Sequence, residues 1–340
     1  MTETGVTPGL VCAHHHLYSS LAGMPAPPST PTGFTQILEQ IWWRLDTALD
    51  LEMIRWSAML GALEALKSGT TAIIDHHESP NAIEGSLSVI ADACAEVGVR
   101  VVCVRRHRSS WREGARAGLK ENERFIREGG RGMVGMHAAF TCEQQTIDDA
   151  VGLADDLGVG VHVHVAEGIG DAGTGAALTR RAKDNWLLVH GVNLPDGVLT
   201  KGTLAHNPRS NMNNAVGYAQ PGRFDVPVVL GTDGIGADML EEFRLAYVKL
   251  REVDVTSSPD LPWSWLENGW RLVPEAKDDV VTWNYPTMEP WHLAFTTGVR
   301  PIDIVMNGER VLQDGRSTRV DEAEVRAKAA EQALALHAKL

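Results

Sequence analysis

No apolar run in the 340 residues reaches the roughly 18–20 needed to cross a bilayer. Met1 to Thr7 lacks the charged start and apolar core of an export signal, so none is expected. Basic charge is in deficit: 31 Lys and Arg against 44 Asp and Glu leave a formal net charge of −13. That balance argues against nucleic acid and against an anionic membrane surface as partners. The four cysteines (Cys12, Cys94, Cys103, Cys142) form no Cys-x-x-Cys pair, which excludes a structural zinc knot and disfavours a disulfide frame. Reduced thiols in a cytoplasmic protein are the expectation. Internal repeats and low-complexity segments are also missing. What remains is an ordinary soluble composition, 44% hydrophobic and 22% charged, enough for one large core and a small second one.

The most informative stretch is Pro8-Gly9-Leu10-Val11-Cys12-Ala13-His14-His15-His16-Leu17-Tyr18. An apolar run leaves a Pro-Gly turn and ends on imidazoles, as a buried strand does when it delivers polar groups at its carboxyl end. Side chains two apart on a strand share a face, so His14 and His16 can converge on a divalent transition metal while His15 points away. A His-x-His pair alone also fits a histidine-rich loop. The recurrence of strand-final His, Glu and Asp further along gives it weight.

Further strands are expected at Thr70 to Asp75, Val99 to Cys103, Met133 to His137, Gly160 to Val165, Trp186 to His190, Gly202 to His206 and Val226 to Asp233. Helical patterns run from Asp50 to Lys67, Ile83 to Val97 and Glu113 to Arg127, with another opened by a capping box at Thr146 and Asp149. Pro25 to Pro31 is a proline-rich loop. Strands alternating with helices and ending on polar groups describe an α/β fold, a (β/α)8 TIM-like barrel with its chemistry at the carboxyl ends. Only 11 residues (191 to 201) join the sixth strand to the seventh, so the helix there should be nearly absent or the barrel irregular. These patterns divide the chain into a catalytic barrel over 8–253, a small β appendage over 254–320 and a C-terminal helix over 321–340. Within the appendage, Pro259 to Trp265 reads as loop. Asn307-Gly308 and Asp314-Gly315 read as tight turns, and Asp321 as the cap of the last helix.

In Val161-His162-Val163-His164-Val165-Ala166-Glu167 a strand-final histidine precedes a carboxylate by three, setting a metal donor beside a proton acceptor. His190 closes its strand, and Asp233 follows an apolar strand within Gly231-Thr232-Asp233-Gly234. One such aspartate is usually a turn cap, but with the other strand-final ligand types it reads better as a metal ligand.

With these residues the chain resembles the amidohydrolase superfamily, in its cytosine deaminase and chlorohydrolase-like branch, and most of all the SsnA-type aminohydrolases. The likeness runs through Pro8 to Ser20, Ile41 to Asp46, Gly69 to His77, His206 to Asn214 and Gly231 to Glu241. The resemblance implies one divalent metal held by His14, His16, His164 and Asp233, with zinc expected ahead of iron. It implies Glu167 as proton shuttle, His190 and Asp233 as groups that hold the attacking water in line, and His137 facing the substrate. Dinuclear relatives use a lysine on the fourth strand. Met133 to Cys142 contains none, so a mononuclear site is expected. The implied reaction is hydrolysis of a non-peptide carbon–nitrogen bond, namely deamination of a purine-, pyrimidine- or triazine-like small molecule. Opening of a cyclic amide, removal of halide from such a ring, and an inactive homologue serving as a binding or scaffold protein remain alternatives. Room is left for a homodimer.

His15, His76, His77 and His162 read as structural or ligand-orienting, and Trp42 and Trp43 as core or pocket wall. His206, Asn207 and Ser210 read as stabilising the loop after the seventh strand. Only 13 residues precede His14, where relatives carry several dozen. The segments from 254 to 279 and from 191 to 201 are also short, so the β-sandwich of the family should be incomplete.

Overall fold

The computed structural model describes residues 4–21, 26–108 and 112–340, with Arg112 and Glu113 described by backbone alone. Met1 to Glu3 and Pro25, parts of segments read above, lie outside it. After a two-residue strand β1 (Val6–Thr7), eight parallel strands follow: β2 (Leu10–His15), β3 (Thr70–His77), β4 (Arg100–Arg105), β5 (Val134–Ala138), β6 (Val161–Val165), β7 (Leu187–His190), β8 (Thr203–His206) and β9 (Val228–Leu230). They pair in chain order as two runs, β2-β3-β4 and β5 through β9. Bridges at His15–Asp233 and Cys103–Gly132 join the runs into a closed barrel. Inside it, Val11, Ala13, Ala72, Ile74, Leu187, Val189, Ala205 and Val229 meet in one apolar cluster. The opposite faces of the same strands pack against the surrounding helices, so the strands are apolar on both sides.

Helices cover the outside wherever the chain between strands is long enough. Asp50 caps Leu51–Leu66 by accepting from the Met53 amide at 2.9 Å, as its type and position predict. Between β7 and β8 there is no helix, and residues 191–202 cross in turns alone. Two local expectations are corrected. Gln144–Leu157 starts at Gln144, so Thr146 sits within the first turn instead of capping it. Residues Asp260–Glu267, read above as loop, are helical. Pro262 there occupies the first turn, where a missing amide hydrogen breaks no intrahelical bond.

The appendage is one antiparallel sheet in the order β1-β10-β11-β12-β13, with β10 (Val280–Trp283), β11 (Pro301–Met306), β12 (Glu309–Gln313) and β13 (Arg316–Ser317). It takes β1 from before the barrel, so both ends of the barrel sequence feed one sheet. Asn307 and Gly308 adopt φ 51° and 80° in the hairpin turn, the conformation that two-residue connections of twisted strands require. Asp321 accepts from the amides of Ala323 and Glu324 and starts the last helix, Glu322–His337, which lies along Leu51–Leu66.

Candidate metal centre and active site

Strict alternation from the apolar part of β2 would turn Val11, Ala13 and His15 into the barrel. The pairing of β2 with β3 shifts between Cys12 and His15, and this bulge reverses the phase. His14 turns inward, while His15 faces out to Thr232 Oγ1 (2.9 Å) and the Asp233 carbonyl (2.7 Å). Strand β6 alternates cleanly, with Val161, Val163 and Val165 on the helix side and His162 and His164 inside. His190 and Asp233 reach the mouth through left-handed backbone, at φ 73° and 56°, and Ala166 beside Glu167 sits at 48°. Such conformations are rare outside glycine and gather where the surroundings hold a functional geometry.

Nitrogen and oxygen atoms of these side chains converge. His16 Nε2 lies 2.8 Å and His14 Nε2 3.4 Å from Asp233 Oδ1, and His164 Nε2 lies 3.3 Å from His14 Nε2. Two overlapping groups have donor atoms within 4.8 Å of one another: His14, His16, His76 and His164, and His14, His164, His190 and Asp233. His76, read above as structural or ligand-orienting, is thus within donor reach, although it also stacks on His162 at 4.2 Å.

The fit to a cation can be judged from the protons. The Nδ1 of His16 lies 2.5 Å from the carbonyl oxygen of His76, which can only accept, so Nδ1 carries a hydrogen and, in the neutral ring that a metal ligand must be, Nε2 presents a lone pair. That lone pair faces a carboxylate oxygen at 2.8 Å. Burial would raise Asp233, but protonated or N–H-donating His16 and His14 beside it hold its carboxyl well below the usual range. Burial also lowers His16, lowers His14 to about 3 and drives His164 well below 6.5, all in the direction of the neutral form that a metal ligand must have. In that form, lone pairs pointing at an ionised Asp233 repel unless a cation lies among them. Ligands at about 2.0–2.1 Å from a tetrahedral zinc stand roughly 3.3 Å apart, close to the separations found here. His14 Nδ1 is held by His162 Nε2 at 2.9 Å, the second-atom contact that fixes a ligand's ring.

Glu167 is buried at the same mouth, with Oε2 3.4 Å from His190 Nε2. Burial pushes its carboxyl up to about 7, with His190 opposing and Asp233 adding to the rise. His137 lies 5.3 Å from His164 ring to ring and bonds Thr141 through Nδ1. The structure therefore brings together all seven residues singled out in the sequence: His14, His16, His137, His164, Glu167, His190 and Asp233.

Three further contacts come from a short helix, Pro208–Asn213, and its cap Asn214. Ser210 Oγ donates to Asp233 Oδ2 at 2.6 Å, and Asn214 Nδ2 to Glu167 Oε1 at 3.3 Å. Asn211 Oδ1 lies 2.8 Å from His190 Nδ1. Sequence reasoning assigns Ser210 to loop stability and passes over both asparagines. The four-residue spacing of Ser210 and Asn214, which places them on one helical face, is the available signal. His206 points away from the site, toward Tyr218 and Trp265.

Residues 6–265 match the amidohydrolase family. A 5'-deoxyadenosine deaminase of Methanopyrus kandleri is 32% identical over 292 residues, spanning 74% of this chain and 64% of that protein. A 5-methylthioadenosine/S-adenosylhomocysteine deaminase of Pelotomaculum thermopropionicum is 29% identical over 382 aligned positions, 97% of this chain and 85% of that one. The fold matches an adenosine deaminase from Xanthomonas campestris with bound zinc at a TM-score of 0.82 and 20% identity, over 99% of this chain and 87% of that one.

Proposed function

The chain belongs to the amidohydrolase family, and from that premise we propose that it is a metal-dependent aminohydrolase releasing ammonia from a nitrogen heterocycle of the aminopurine class. The observation that carries this reading is His16 Nε2 set 2.8 Å from Oδ1 of buried Asp233, with His14 and His164 completing the cluster. We assign His14, His16, His164 and Asp233 to a single divalent ion, zinc before iron. Such an ion supplies water activation, lowering the pKa of a water toward about 7.

The chain's own residues do the rest. Glu167, tied at Oε1 to Asn214, takes the proton of the attacking water at Oε2 and passes it to the departing nitrogen. A carboxyl near 7 suits both halves of that transfer, since it gains and loses a proton at neutral pH with little driving force either way. His190, fixed through Nδ1, presents Nε2 between Glu167 and Asp233 and holds the reacting groups in line. We assign His137, whose ring lies 5.3 Å from that of His164, to contact with substrate. Nearly complete burial of Glu167 and Asp233 keeps bulk water from the transfer.

The test is ammonia release by the purified protein, with and without added zinc, against adenosine-type nucleosides, free aminopyrimidines and amino- or chlorotriazines. Zinc-dependent ammonia from an adenosine-type substrate supports the proposal. Halide or ring-opened product without ammonia replaces it with the corresponding hydrolysis. A protein that retains no zinc or iron would favour a binding or scaffold role. Among the described residues no helix is long and apolar enough to cross a membrane, and we infer a cytoplasmic enzyme for small molecules.

A further inference from the structure

We propose that the turn Pro208–Asn213 with Asn214 is a positioning device that sets three chemical groups at once: Ser210 orients Asp233, Asn211 orients His190 and Asn214 orients Glu167. This rests on the deaminase reading for its kinetic part and on the metal cluster alone for the rest.

Each contact decides something that the partner side chain cannot decide for itself. A carboxylate has two equivalent oxygens. The Ser210 hydroxyl claims Oδ2 of Asp233 at 2.6 Å, which leaves Oδ1 for His16 and His14. Without the hydroxyl, rotation about the last torsion of Asp233 is restrained only by the imidazoles. An imidazole has two tautomers, and a carbonyl oxygen at Nδ1 selects one. With Asn211 Oδ1 accepting there, His190 Nε2 is left facing Glu167 and Asp233. Glu167 has its Oε1 held by the Asn214 amide, and the same nitrogen lies 3.4 Å from Ser210 Oγ, which links the two carboxylate contacts into one chain.

The device is itself fixed. Ser210, Asn211 and Asn214 are buried. Arg209, next in sequence, clamps the turn to the following helix, Met239–Val253. Its guanidinium reaches Glu241 at 2.5 Å and Glu242 at 3.1 Å, and its backbone amide donates to Glu242 Oε2 at 3.3 Å. A group held on a rigid element by buried partners is what a reaction sensitive to sub-ångström placement requires. A turn that served only to fill space would have no reason to send three different polar side chains to three different members of the site.

Substitutions at three positions separate the contacts. Ser210→Ala should hold zinc about 10–100-fold less tightly in competition with a chelator, the usual effect of losing a partner that orients a ligand, and Ser210→Thr should restore most of it. Asn214→Ala should hold zinc as the parent does. Its kcat should fall about 10–100-fold with KM changed by no more than about threefold. Asn211→Leu, of similar size but with no acceptor, should lose turnover in the same range, and Asn211→Asp, which keeps an acceptor, should recover much of it. Thermal melting confirms that each variant is folded. Parental zinc affinity in Ser210→Ala, or parallel changes in melting, kcat and KM in all three with no recovery by the conservative partners, overturns the proposal. If the parent protein releases no ammonia from any substrate, the deaminase reading fails, and the zinc measurements on Ser210→Ala and Ser210→Thr still decide this one.

Discussion

Replacing Glu167 by Gln tests the proton shuttle with the smallest change of shape. The amide keeps an oxygen for the Asn214 contact at 3.3 Å and the same volume in a site where the residue is only 8% exposed. Loss of rate can then be assigned to chemistry. General acid–base catalysis by a placed side chain contributes about 10²–10⁴-fold, or about 3–5 kcal/mol at 1.36 kcal/mol per decade, and that is the expected fall in kcat. Zinc content should not change, because Glu167 is outside the proposed ligand set. In the proposed mechanism the carboxylate is the base, and with its carboxyl at about 7, kcat/KM should decline as pH drops below that value. Stability runs the other way. The folded-state value lies above the ordinary 4.5, so the contribution of Glu167 to stability is fully present below about 4.5 and lost as pH rises through 7. The glutamine variant cannot ionise, and the metal-free variant should melt higher than metal-free parent at pH 8.5, with the gap narrowing toward pH 5. Ammonia release, metal analysis and melting curves measure the three effects. A variant with normal zinc and kcat within about fivefold of the parent removes Glu167 from the mechanism.

Stripping the metal with a chelator should lower the melting temperature, and readdition should restore it. For an ion present at about 100 times its Kd the linkage amounts to roughly 2.7 kcal/mol, and an unchanged melting curve would contradict a cation among these residues. Glu242 is buried and its carboxyl is pushed up to about 8 by that burial, with Arg209 opposing. Its stabilising contribution is therefore complete below about 4.5 and lost as pH passes 8, so Glu242→Gln should flatten the alkaline side of a stability-against-pH curve. Gly160→Ala would place a Cβ 1.8 Å from the carbonyl oxygen of Asn185, a backbone atom that cannot step aside. Destabilisation by about 3 kcal/mol or more is expected in denaturant unfolding, and a loss under about 1 kcal/mol would mean that the backbone at this junction yields.

The barrel and the cluster of candidate metal donors are largely readable from the chain, because the same residues define both. An apolar strand that ends in His, or in a turn carrying Asp, declares its direction and its chemistry together. Helix Asp260–Glu267 is hidden by its prolines, whose effect depends on position within the turn, a quantity that composition does not carry. The inward turn of His14 follows from the sequence only on incomplete grounds, since alternation from Val11 selects His15 and the bulge at Cys12–His15 reverses it. His76 reads only as structural or ligand-orienting because a buried histidine needs no special explanation, and only the geometry shows it among the donors. Ser210, Asn211 and Asn214 are obscured for a related reason. Small polar residues after a strand have many ordinary uses, and the identity of their partners depends on Asp233, His190 and Glu167 arriving from distant parts of the sequence.

The barrel is closed by backbone bonds from the His14 carbonyl to the amides of Thr232 (2.9 Å) and Asp233 (3.1 Å). The seam between first and last staves therefore runs through the cluster of candidate metal donors itself. A growing polypeptide can hold no complete site until some 220 residues after His14 have left the ribosome, because the last donor is delivered by the stitch that shuts the barrel. A cation captured there would act as a rivet across the joint, tying the final step of folding to the supply of metal in the cell.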